Sequence, residues 1–104
     1  MANAPGSFIW YELMTTDADA ATKFYGDVVG WKIAAKGDPA VSGGQDYRAI
    51  GRKDGGMLGG VLQLTPAMTS GGARPLWLGY LAVNDVDDAT RAIEADGGKT
   101  WMPK

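Results

Sequence analysis

The chain contains no cysteine and no histidine. The first absence excludes disulfides and thiolate metal sites. The second removes the commonest metal ligand and the commonest general base at neutral pH. Basic character is also scarce: 10 Lys and Arg against 12 Asp and Glu give a net charge of −2 and an isoelectric point near 4.8. Nucleic acids bind to concentrated basic faces, so no nucleic-acid partner is expected. The one local basic cluster, Arg48, Arg52 and Lys53, reads as a solvated hairpin end. No apolar run nears the roughly 20 residues of a membrane span. The opening "MANAPGS" lacks the charged and apolar regions of a signal peptide. Neither membrane association nor export is expected, and the expected location is cytoplasmic.

What is present is glycine, aromatic residues and a repeated pattern. With 104 residues and 45% apolar content, the chain can bury one modest core. "SFIWYELMTT" has the aromatic and branched content of a strand. Asp17 then stands at a helix N-cap, and Ala21, Phe24, Tyr25, Val28 and Val29 form one apolar helical face. Gly30 can close that helix in the left-handed conformation, and "WKIAAK" reads as the returning strand. A loop, "PAVSGGQ", follows. "DYRAIGRKDGG" and "GMLGGVLQL" then read as two strands joined through Asp54-Gly55. "GGMLGG" lies within a strand with no helix after it, so it is no dinucleotide fingerprint. It signals curvature and close backbone approach.

"TPAMTSGGARP" reads as a linker. After it come a strand, "LWLGYLAVNDV", an N-cap at Asp85, a helix from Asp87 to Ala95, a Gly-Gly stop, and "KTWMPK" as the start of another strand. Sliding the first stretch by 68 positions sets Leu13 on Leu81, Asp17 on Asp85, Asp19 on Asp87, Thr22 on Thr90 and Gly30 on Gly98. One ungapped offset through cap and helix end points to a structural duplication. The expected fold class is α+β. A βαβββ module over 7–64 and a linker over 65–75 precede an incomplete second module, strand-helix-strand, over 76–104.

"WYELMTTDADAATKFYGDVVGW", "GGMLGGVLQL" and "WLGYLAVNDVDDATRAIEADGGK" together resemble the vicinal oxygen chelate superfamily, the glyoxalase, bleomycin-resistance and extradiol-dioxygenase group. The resemblance covers nearly everything from Phe8 onward and implies paired βαβββ modules whose strands curl around a cup. It also implies a divalent metal held by His, Glu or Gln on the first and last strands of each module. The usual ligand positions fall here on Trp10 and Leu78, and neither side chain can coordinate a cation. Only Gln63 among residues 62–64 offers an oxygen. No catalytic metal or other cofactor is therefore expected at the usual site.

Strand alternation puts Trp10, Glu12 and Met14 on one face, and Tyr11, Leu13 and Thr15 toward the helix. Leu78, Tyr80 and Ala82 share the cup face in the second module. A cup lined by Trp10, Met14, Leu78 and Tyr80, with Gln63 at one end, suits a flat apolar ligand with one polar handle. Glu12 is the carboxylate expected inside it, where desolvation would suit it to proton transfer. Asp17 and Asp85 are read as helix caps. The expected function is metal-independent binding of a small aromatic or hydrophobic molecule. One alternative is a lyase, isomerase or dioxygenase using Glu12 or an unanticipated divalent metal, and another is a non-catalytic structural fragment. The offset carries the expected end of the second module to about position 132. A homodimer that covers the open edge, with exchange of modules as one form of it, is the expected assembly.

Overall fold

A computed structural model describes residues 3–37 and 43–103. The elements are β1 (Phe8–Thr15), α1 (Ala18–Val28), β2 (Lys32–Ile33), β3 (Tyr47–Gly51), β4 (Met57–Gln63), α2 (Pro66–Ser70), β5 (Leu76–Leu81) and α3 (Val86–Ala95). They form an α+β fold on one five-stranded mixed sheet in the order β2-β3-β4-β1-β5. β1 and β4 run parallel, with Leu13 beside Val61, while β3 is antiparallel to both β2 and β4. The helical crossover between β1 and β4 is what permits a parallel central pair.

Two compact units result, Trp10–Tyr80 and Met1–Ile9 with Leu81–Lys104. The boundary differs from the module limits read in the sequence, since most of β5 groups with the first module. In the larger unit, the core is Leu13, Ala18, Ile50 and Val61, with Ala21, Tyr25, Trp31, Ile33 and Leu58 packed against it. Ile50 and Val61 are fully buried, each worth roughly 1.5–3 kcal/mol of hydrophobic stabilisation. α1 begins where Asp17 Oδ1 accepts from the Ala20 N–H at 2.9 Å, and it stops at Gly30, whose φ of +84° suits only glycine. The paired glycines of β4 reflect close backbone approach: a Cβ on Gly59 would overlap the Tyr11 carbonyl oxygen on the adjacent strand.

In the smaller unit, the Gly6 N–H donates to the Ala82 carbonyl at 2.8 Å, and the Ala82 N–H to Ser7 at 2.9 Å. Asp85 caps α3 through the Asp88 N–H at 3.0 Å. The closing bonds of the two long helices, Gly30 N–H to Tyr25 O and Gly98 N–H to Ile93 O, keep the 68-residue offset. None of this unit's described residues is buried. No helix among the described residues is long and apolar enough to cross a membrane.

Several expectations need correction. Arg48 is not at a solvated hairpin end: it is 4% exposed, because β3 runs beneath α1 and turns this side chain inward. The linker contains a short helix, α2, started by Thr65 and Pro66, since proline at the first helical position has the right φ and lacks only an N–H that needs no partner there. "WKIAAK" contributes just Lys32–Ile33 to the sheet. Residues 99–103 form no strand, and Trp101 is 85% exposed rather than packed. The expected loop over 39–45 lies partly outside the described residues, as does Lys104.

Candidate functional site

β1 turns Leu13 into the core against Val61, so Trp10 and Glu12 face the opposite side of the sheet. There Trp10 Nε1 donates to the Tyr47 hydroxyl at 2.9 Å. That hydroxyl donates to Glu12 Oε1 at 2.9 Å, and the Tyr80 hydroxyl donates to Glu12 Oε2 at 3.0 Å. Three strands thus deliver an indole, two phenols and a carboxylate to one chain of hydrogen bonds. Glu12 and Tyr80 occupy equivalent positions of the two repeats, 68 residues apart.

Burial pushes the Tyr47 phenol up to about 12. The Glu12 carboxylate adds to that shift by hydrogen bond and charge, while the Trp10 hydrogen bond opposes it. Tyr80 is raised for the same reasons, burial first and Glu12 second. Both phenols therefore keep their protons across the physiological range and act as donors to Glu12. A carboxylate offers about four acceptor positions, and the two phenols use two of them.

The site residues read in the sequence are only partly gathered here. Trp10, Glu12 and Tyr80 meet directly. Met14 lies beside Leu62 in the β1–β4 register, and Leu78 precedes Tyr80 by two residues on the same face of β5. Gln63 is elsewhere. Its Oε1 accepts from the Ala18 N–H at 2.8 Å, and its Nε2 donates to the Thr16 carbonyl at 2.8 Å and the Leu64 carbonyl at 3.0 Å. β4 turns this side chain toward the first turn of α1, where it satisfies backbone groups instead of lining the Glu12 face. Tyr47 is the member that strand patterning of β1 and β5 did not supply. Its signal was present in "YRAIG", where Tyr47 alternates with the inward Arg48 and Ile50.

The residues present do not fit the divalent ion that the family resemblance implies. Trp10 offers an N–H donor only, Leu78 offers nothing, and Gln63 is bonded to backbone. Among the described residues no three His, Cys, Asp or Glu side chains converge. Glu12, the carboxylate that the described residues place on this face, already accepts hydrogen bonds from two phenols.

A family model described as Glyoxalase/Bleomycin resistance protein/Dioxygenase superfamily matches residues 7–104. The chain is also 33% identical over 94 residues to proteins named "Putative glyoxylase CFP32" in Mycobacterium bovis and Mycobacterium tuberculosis. That alignment covers 90% of this chain and 34% of each relative, so the chain spans about a third of their length.

Proposed function

Because the chain belongs to the glyoxalase/bleomycin resistance protein/dioxygenase superfamily, we propose that it binds a small aromatic or hydrophobic molecule on the Glu12 face without the superfamily's usual metal. The carrying observation is the Glu12 carboxylate held from both sides by Tyr47 and Tyr80, with Trp10 behind Tyr47. Such a site favours a ligand with an apolar body and one hydrogen-bond donor, a phenol or an arylamine, because the carboxylate accepts and repels anions. Titration with a panel of phenols and arylamines should shift the Trp10 indole N–H resonance saturably. Glu12→Gln should weaken binding about tenfold, the scale of one lost hydrogen bond to a charged group. An unresponsive Trp10 would remove the reading. Stoichiometric metal retained through chelator-free purification would remove its metal-free part.

A second reading rests on the same geometry. A carboxylate fixed by two donors is positioned to accept a proton from a bound carbon acid, the step a lyase or isomerase needs. Turnover abolished by Glu12→Gln, with ligand still bound, would distinguish it from binding alone. For assembly, we propose a homodimer in which a second copy covers the exposed Leu81, Val83, Val86 and Ile93. Light scattering at micromolar concentration should give twice the chain mass, and a stable monomer would count against it.

A further inference from the structure

The side of the sheet that carries α1 has its own cavity, of about 460 Å³, lined by Tyr11, Trp31, Arg52, Leu58 and Trp77. That volume falls within the range of small-molecule sites, roughly 300–1,000 Å³. Tyr11 alternates with Glu12 along β1, so this space and the Glu12 face lie on opposite sides of the strand. Its two indole walls are fixed. The ring centroids of Trp31 and Trp77 are 6.1 Å apart at 71°. Both pack on Tyr25, at 5.6 Å and 5.4 Å, and Trp77 Nε1 donates to the Tyr25 hydroxyl at 3.3 Å. Yet Trp77 and Tyr11 are each 41% exposed, so these aromatic surfaces present area that the fold itself does not cover.

The one charged member is also held in place. Arg52 Nε donates to Asp54 Oδ1 at 3.1 Å. The guanidinium lies across Gly56, where a Cβ would overlap it. Asp54 in turn accepts from the Gly56 N–H at 2.8 Å, which fixes the turn beneath the pair. The Asp54 bond uses Nε, and a planar guanidinium has further N–H groups in a fork that matches a carboxylate. Lys53 brings a second cation close by, its ammonium lying over Gly30, next to Trp31 in the chain. Flat apolar walls with a positive mouth define a ligand opposite in charge preference to the one suited to Glu12.

We propose that this cavity is a second binding site, separate from the Glu12 face, for a small planar aromatic anion such as an aryl carboxylate. The aromatic ring lies among Trp31, Trp77 and Leu58, and the carboxylate meets Arg52. The test uses 2-naphthoate, followed through the indole N–H resonances by proton–nitrogen NMR. The expected result is a saturable shift of the Trp31 and Trp77 signals with Trp10 unmoved. Neutral 2-naphthalenemethanol should bind about tenfold more weakly, and Arg52→Gln should bring naphthoate down to that level, consistent with the loss of a charge-assisted bond. Glu12→Gln should leave naphthoate binding as it was. Equal affinity for anion and alcohol, shifts confined to Trp10, or no saturation by millimolar naphthoate would each overturn the assignment. Because Trp10 reports the Glu12 face and Trp31 and Trp77 report the cavity, failure of either reading is visible apart from the other.

Discussion

Asp46→Ala should lower the free energy of unfolding by about 3 kcal/mol, the cost of removing the main counter-charge of a buried guanidinium and leaving it only an exposed carboxylate and a hydroxyl. Asp19→Ala should lower it by less than about 1 kcal/mol, as for an exposed ion pair. Both carboxylates bond the same guanidinium, so the contrast comes from where each sits. The Arg48 side chain is 5% exposed, Asp46 is 36% exposed and Asp19 is 86% exposed. Asp46 meets Arg48 with both oxygens, from Nε and Nη2 at 3.0 Å each. It also accepts from the Gly37 N–H at 2.8 Å. Asp19 makes a single contact at 2.9 Å from the first turn of α1, and Arg48 Nη1 reaches the Thr22 hydroxyl at 3.2 Å. Arg48 thus ties α1 to β3, and Asp46 makes its burial tolerable. The pH dependence has a definite sign. The Arg48 hydrogen bonds hold the Asp46 carboxyl below its ordinary value, against the opposing effect of burial. Stability from this pair is therefore present above the ordinary carboxylate range, about pH 4, and is lost as pH falls through the lowered value. Urea unfolding of both variants at neutral and acid pH checks the claim: Asp46→Ala should flatten the acid limb, and equal losses for the two variants would contradict it.

Arg48 also shows where sequence reading stops. The caps at Asp17 and Asp85 and the glycine stops were legible because each is decided within one turn of chain. The hairpin was legible at Asp54-Gly55 for the same reason, although five residues separate its strands. Arg48 looked like one more basic residue near that turn. Its burial depends on α1 crossing β3, which brings Asp19 and Thr22 to it from almost thirty residues away. Gln63 was misread in a similar manner. As a lone oxygen near the end of a strand it resembled a ligand, but the parallel β1–β4 register sets it opposite Thr15, where its oxygen accepts from the first-turn N–H of Ala18. Tyr47 required two registers at once, β3 on β4 and β4 on β1, before its hydroxyl could be placed between Trp10 and Glu12. The α2 helix was different, since Thr65-Pro66 is a local start signal outweighed in the reading by the glycines after it.

Gly60→Ala should break the Glu12 site while leaving the core intact. Gly60 is buried, and a Cβ there would overlap the Tyr47 ring, which lies across the space a side chain would fill. A phenol ring bonded at its far end to both Trp10 and Glu12 has no room to retreat without losing those bonds. The overpacking itself should cost roughly 1–3 kcal/mol. The larger consequence is for the network. In the native chain Tyr47 titrates at about 12, first because it is buried. Its folded value lies above the ordinary value near 10, so the stability it contributes is complete below about pH 10 and is lost as pH rises from there to 12. Displacing the ring returns it to water, and ultraviolet absorbance titration of Gly60→Ala should show this tyrosine moving back toward 10. The alkaline loss of stability between those two values should shrink with it. Binding of phenols and arylamines should fall by at least about tenfold, since Glu12 loses one of its two positioning donors. Tyr47→Phe separates the two effects: it keeps the ring over Gly60 but removes the hydroxyl, so it should weaken binding without the packing cost. If Gly60→Ala leaves a tyrosine titrating near 12 and binding unchanged, the ring has another place to sit, and glycine at this position is not what holds the Glu12 face together.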